Sequence, residues 1–244
     1  LTIGMLIAGP TSGYLSDRFG ARGFATVGMV AAAVSFVALT LLPVDFSYPV
    51  FAAILAFNGI SMGMFASPNR AAVMNSLPAD ARGAGGGMNQ TFQNSAQVIS
   101  MGIFFTLLII GLASTLPHTL SSGLEAHGVA AAKAHEVGQT PPISVLFAAF
   151  LGYNPIEHLI GTHALHELPQ HAQAVLTGHA FFPSLISKPF SNGLDTAFGF
   201  AIVACLIAAV ASLARGGRYT HTEPSEAKPA PVPPLRELEE SHAS

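Results

Sequence analysis

Long apolar runs separated by short polar connections organise the first half of the chain, and one further run follows near its end. Phe24 to Leu42 holds no charged residue, and Pro49 to Ala66 is interrupted most strongly by Asn58. A third run extends from about Gly87 to Ala113 and is strongly apolar from Val98 onward; a fourth extends from Leu194 to Ala214 and ends at Arg215 and Arg218. A helix needs roughly 20 apolar residues to cross a hydrocarbon core of about 30 Å, and these runs meet that requirement. Leu1 to Ser12 is apolar but only about 18 Å long if helical, which reads as the truncated end of a further span. The chain opens with Leu1, and no basic flank precedes its first apolar segment. That argues against a signal peptide and for a chain whose beginning has been lost. The pattern predicts an all-α membrane protein with about five transmembrane helices.

Composition agrees with this division. Half of the residues are hydrophobic and 9% are charged, against about 25% charged in ordinary soluble domains. A chain whose surface faces lipid needs few charges, whereas a soluble chain of this length needs many. The net charge of −3 and the lack of a basic tract in the apolar part exclude a nucleic-acid partner. Cys205 is the only cysteine. It allows no intrachain disulfide and no multi-thiolate metal site, and within its apolar run it reads as a small hydrophobe.

The basic residues predict topology. Arg18 and Arg22 lie between the first two spans, Arg70 and Arg82 between the third and fourth, and Arg215, Arg218, Lys228 and Arg236 follow the last. The alternate connections, Pro43–Tyr48 and Ser114–Gly193, carry only Lys133 and Lys188. The positive-inside rule then places every second connection and the C-terminal tail in the cytoplasm. Three regions follow: spans through residue 113, a long external loop over 114–193, and a final span over 194–218. Within the loop, Ser122 to Gly138 has helix-favouring alanines. Ile143 to Leu151, opened by Pro141 and Pro142, is too short to span and reads as a buried or interfacial helix. Residues 219–244 are rich in proline, glutamate and serine and read as a disordered tail.

The most specific motif is Gly13-Tyr14-Leu15-Ser16-Asp17-Arg18-Phe19-Gly20-Ala21-Arg22, on the expected cytoplasmic side. Glycines permit a tight turn and close helix approach. Asp17 suits helix N-terminal amides or a basic partner, while Arg18 and Arg22 suit carboxylates or lipid headgroups. An ordinary positive-inside turn would account for the same charges.

This run resembles the signature loop of the major facilitator superfamily, G-x-L-x-D-R-x-G-x-R, matching it at Gly13, Leu15, Asp17, Arg18, Gly20 and Arg22. The resemblance implies a cytoplasmic charge network in which Asp17, Arg18 and Arg22 latch helices and are remade during alternating access. The order of parts, three spans after the motif, then a long external loop, a last span and a tail, resembles the end of the fourteen-helix drug:proton antiporters. It implies a C-terminal fragment containing most of one half of such a fold, whose partner is the missing N-terminal half. Protons and a small hydrophobic or cationic substrate are the implied cargo, in the plasma membrane, with membrane lipids around it and no cofactor.

Gln90, Asn94 and Gln97 recur at helical spacing in the third run and share a face, in a segment also holding Asn89, Thr91 and Gln93. Bare amides in lipid cost several kcal/mol, so these side chains either line a transport pathway or bond between helices. Gly59 and Gly63 form a G-x-x-x-G pair suited to close helix packing, within the chain in preference to dimerisation because neighbouring spans are at hand, and Pro10 is placed to bend the first span.

The histidines of the long loop, His118, His127, His135, His158, His163, His166, His171 and His179, raise a metal hypothesis. There is no H-E-x-x-H pattern, cysteine partner or carboxylate cluster to support one, and no metal is expected. No span carries an acidic residue in its middle, the usual device for carrying a proton through a transporter; the resemblance implies that such acids lie in the N-terminal half. No nucleophile–base motif or nucleotide fingerprint is present, so an enzyme is not expected. A secondary active exporter is the leading reading. A membrane-anchored binding protein that uses its histidine-containing loop is the alternative.

Overall fold

The computed structural model describes residues 1–214, the side chain of Asp17 excepted; the expected tail at 219–244 and the basic residues from Arg215 onward lie outside the described residues. The described residues form helices and no strand. The long helices are α1 (Thr2–Phe19), α2 (Ala21–Thr40), α3 (Tyr48–Asn75) and α4 (Arg82–Glu125), the last entered through a 3-10 turn at Ala79–Ala81. Short helices follow: α5 (Ala131–Gly138), α6 (Pro142–Phe150), α7 (Ile156–Ile160), α8 (Thr162–His166) and α9 (Gln170–Thr177). The long α10 (Phe181–Ala214) ends the described region. By length and composition α2, α3, α4 and α10 can each cross a membrane. α1 lies alongside α3 as a fifth member of the bundle, its second half made more polar by Ser12, Ser16, Asp17 and Arg18.

The packing order across the bundle is α1, α3, α2, α10, α4. Small residues set the closest approaches. A Cβ added to Gly59 would collide with the backbone of Leu1, and one on Gly63 would stand 3.0 Å from both Ala8 Cβ and Gly9 N. α1 and α3 are thus in backbone contact, where dispersion and interhelical hydrogen bonds replace the hydrophobic drive that lipid removes. The Ser12 hydroxyl donates to the Gly63 carbonyl across the same contact, at 3.2 Å. Between α2 and α3, the Asn58 amide donates to the Ser35 hydroxyl, which itself donates to Ala32 O at 2.7 Å. Asn58, the strongest polar interruption of its run, is therefore buried with a partner rather than left in lipid.

Four expectations from the sequence differ from the structure. The signature run over 13–22 is not a loop: α1 continues to Phe19, α2 begins at Ala21, and Gly20 alone joins them. The span expected to end at Ala113 continues through Pro117 to Glu125, and the span expected to begin at Leu194 begins at Phe181. The helical part expected over Ser122–Gly138 is split by a turn, in which Gly128 adopts φ 87° before α5 begins. The reason α4 and α10 run on beyond their spans is a leucine stripe. Leu108, Leu112, Leu116, Leu120 and Leu124 recur every fourth residue and are fully or almost fully buried. Their partners are Phe182 and Ile186 of α10 and the inner faces of α5 to α9. The 44 residues of α4 give about 66 Å of helix at 1.5 Å per residue, twice a hydrocarbon core. The segment between the spans is thus a folded helical cap, with its own core, around the extended ends of α4 and α10.

Candidate gating link and open amide face

Gly20 is both the C-cap of α1 and the N-cap of α2, at φ 95° and ψ 139°. Side chains rarely adopt that backbone region, so a one-residue reversal between two helices calls for glycine here. The Gly20 N–H donates to Ser16 O at 2.8 Å, and the Ser16 hydroxyl donates to Gly13 O at 2.7 Å, closing the last turn of α1. Gly13 backs onto α3, where an added Cβ would stand 2.7 Å from Ser67 Oγ. The end of α1 is therefore fixed against the end of α3 that carries Arg70.

Arg18 and Arg22 flank this link, one on each helix, with both side chains exposed. Asp17 lies in α1 by its backbone. Arg70 donates through Nη2 to Gln93 Oε1 at 3.1 Å, tying α3 to α4, and Arg82 donates through Nε to Leu77 O at 3.3 Å. Ala209 of α10 packs with Met29 and Ala32 at the middle of α2, and Phe198 meets Phe36 nearer its far end, so the described end of α10 runs toward this side. Arg18, Arg22, Arg70 and Arg82 gather at one end of the bundle and the cap occupies the other.

Gln90, Asn94 and Gln97 lie on α4 with exposed side chains, as does the whole stretch from 91 to 102. Gln90 Nε2 donates to Asn94 Oδ1 at 2.9 Å, a bond within one helix turn that leaves the face open. α4 meets α10 from Phe104 onward, where its ring centroid stands 6.3 Å from that of Phe198, and its first half has little contact with the other helices of the chain. The run over 13–22 and this amide face are brought to the same end of the bundle but are not in contact through any described hydrogen bond.

The histidines do not converge. His127 Nδ1 donates to Gly123 O at 2.8 Å and its ring stands edge-on to Phe181, centroids 5.0 Å apart. His163 pairs with Glu167 at 3.2 Å on an exposed helix turn. Among the described residues no group of three or more histidines, cysteines or carboxylates is placed to hold a metal ion. Sequence reasoning missed the Arg70–Gln93 tie and the Ser12–Gly63 bond. Neither has a signal beyond the bare presence of a polar side chain in a membrane helix.

Residues 1–101 match the family model described as Major Facilitator Superfamily. The Riboflavin transporter RibZ of Clostridioides difficile is 28% identical over 100 residues, 41% of this chain and 22% of that protein. The Uncharacterized MFS-type transporter YhcA of Bacillus subtilis is 31% identical over 103 residues, 42% of this chain and 19% of that protein. The chain thus spans about a fifth of the length of these curated relatives. No solved structure matches it. With the all-helical, membrane-length architecture, these likenesses support the Major Facilitator Superfamily as the family of the segment 1–101, and a multi-pass membrane protein as the setting of the whole chain.

Proposed function

We propose that the chain forms part of the C-terminal half of a secondary active transporter working by alternating access, and that the complete protein is a proton-coupled exporter of hydrophobic or cationic compounds with the fourteen-helix layout. The observation that carries this reading is the open amide face of α4, formed by Gln90, Asn94 and Gln97, inside a segment similar to a transporter family. Amides on a membrane helix need water or a protein partner, and a substrate cavity between two helical halves supplies both. The arginine-rich end is read as cytoplasmic by the positive-inside rule, in a plasma membrane, with the cap outside. At that end Asp17, Arg18 and Arg22 act as a charge latch whose remaking accompanies the swing about Gly20.

The test is efflux of a fluorescent cationic dye from cells expressing the complete protein, with and without Asp17→Asn. Efflux that collapses with the proton gradient and weakens in the variant supports the reading. Unchanged efflux in the variant removes the latch. Absence of dye transport by folded protein, with transport of riboflavin instead, would replace the drug-like substrate by one suggested by a relative's name. The rival reading, an anchored protein that binds metal through the histidines of its cap, requires zinc to protect the cap from proteolysis; unchanged digestion with zinc present removes it.

A further inference from the structure

We propose that α6 and the turn after it lie in the interfacial layer of the bilayer on the cap side, with Ile143, Phe147, Phe150 and Leu151 among the lipid acyl chains. The inference rests on α4 and α10 crossing the membrane and on no assignment of substrate.

Four observations converge on a lipid surface. The first is confinement. Between Ile110 on α4 and Phe200 on α10, the large hydrophobic side chains exposed by the cap are Ile143, Phe147, Phe150, Leu151 and Tyr153, at 49%, 62%, 67%, 80% and 55%. The surface helices around them expose polar groups instead, among them the Lys133–Glu136 and His163–Glu167 pairs. A soluble cap would not gather its exposed apolar side chains into one strip.

The second is the form of the strip. Positions 143, 147, 150 and 151 share one face of a helix, while Val145 and Leu146 are buried in the cap core and Ala148 and Ala149 pack against it. At nine residues, α6 is about 14 Å long, which fits lying in the interface and not crossing it.

The third is charge. Residues 137–156 contain no aspartate, glutamate, lysine or arginine, so no ion has to be desolvated when this strip enters the headgroup boundary. Tyr153 follows the apolar positions and carries the amphipathic ring favoured at that depth.

The fourth is placement. Val129 N–H donates to Leu124 O at 3.2 Å, and an added Cβ on Gly138 would stand 2.8 Å from Pro117 O. α5 therefore runs back along α4 from its far end toward the apolar span. α6 follows within four residues and also touches α4. The strip is carried toward the band of exposed apolar residues that ends at Ile110 and Phe200.

The test places an environment-sensitive nitrobenzoxadiazole label at Phe147→Cys, and separately at Phe150→Cys, in a Cys205→Ala background of the complete protein. The protein is reconstituted in phosphatidylcholine vesicles containing lipids brominated near the headgroup. Glu136→Cys serves as the aqueous control and Val203→Cys as the span control. The expected result is a blue-shifted label at both α6 positions, quenched by the brominated lipid and insensitive to aqueous iodide. Quenching by iodide without quenching by lipid would show a water-facing strip and overturn the proposal. Protection from both quenchers would show the strip covered by protein and overturn it equally. Lipid quenching at Val203→Cys separates either failure from a failure of the membrane reading itself.

Discussion

Gly111 and Gly193 face each other where α4 crosses α10, so closely that a Cβ built on Gly111 would stand 2.7 Å from the Gly193 Cα. A Cβ on Gly193 would likewise stand 2.6 Å from Leu108 O. Nearby, Asn192 Nδ2 donates to Thr115 Oγ1 at 3.3 Å. This crossing joins the membrane bundle to the cap, because both helices pass through it on their way out. Backbone cannot yield as a flexible side chain does, so the helices must separate to admit a larger residue. Gly193→Val is expected to destabilise by about 1–3 kcal/mol, the range for overpacking. Thermal unfolding of the purified protein in detergent reads this as a lowered midpoint, and an unchanged midpoint would mean that the crossing is looser than described.

A second prediction concerns the Asn58–Ser35 pair between α3 and α2. Removing the Ser35 hydroxyl leaves the buried Asn58 amide short of an acceptor, and a lost interhelical bond in membrane proteins costs about 0.6 kcal/mol on average and 1.7 at most. Ser35→Ala and Asn58→Leu are each expected to destabilise. The double substitution should cost less than their sum by about that coupling, as contacting residues do. Additive effects in the cycle would deny the bond any energetic role.

How far the sequence carries the fold depends on which signal dominates locally. α2 runs from Ala21 to Thr40, close to the apolar run at 24–42, because an uncharged run of that length has one stable solution in lipid. The continuation of α4 is harder to read. Ser114, Thr115 and Pro117 mark an end to the span by composition, and a proline inside a helix removes one hydrogen bond. Yet the leucines at 108, 112, 116, 120 and 124 hold their spacing through Pro117, and a tertiary core formed with α5 to α9 outweighs the one lost bond. The run over 13–22 shows the opposite balance. Its residue types are legible by resemblance, but neither the single-glycine connection at Gly20 nor the close approach of Gly13 to Ser67 of α3 is spelled out by the motif. The amide face of α4 is legible as a face, and the packing of the described helices leaves it open.

Leu120 tests whether the cap is a folding unit. It is fully buried on α4 within the shared core, and truncating such a leucine typically costs about 2–5 kcal/mol. Leu120→Ala is expected to speed amide exchange through α5 to α9 and the first turns of α10. α1 to α3, which share no core residue with it, should exchange as before. Hydrogen-exchange mass spectrometry resolves the two regions. Faster exchange across the entire chain would mean that cap and bundle unfold as one.

Gly20 is where backbone conformation and the gating proposal meet. Its φ of 95° lies where a Cβ is strained, at a cost on the order of 1–3 kcal/mol, and α1 and α2 have no other connection between them. An added Cβ would meet nothing within 4 Å, so steric collision does not confuse the outcome. Gly20→Ala is expected to lower stability by that strain and to shift the angle between the helices flanking Arg18 and Arg22. If the link works as a pivot, transport should slow by more than the folded fraction accounts for. The comparison is dye efflux per folded molecule, with folded protein counted by monodisperse elution. Slower efflux matched entirely by lost protein would leave Gly20 as a structural residue and move the pivot elsewhere.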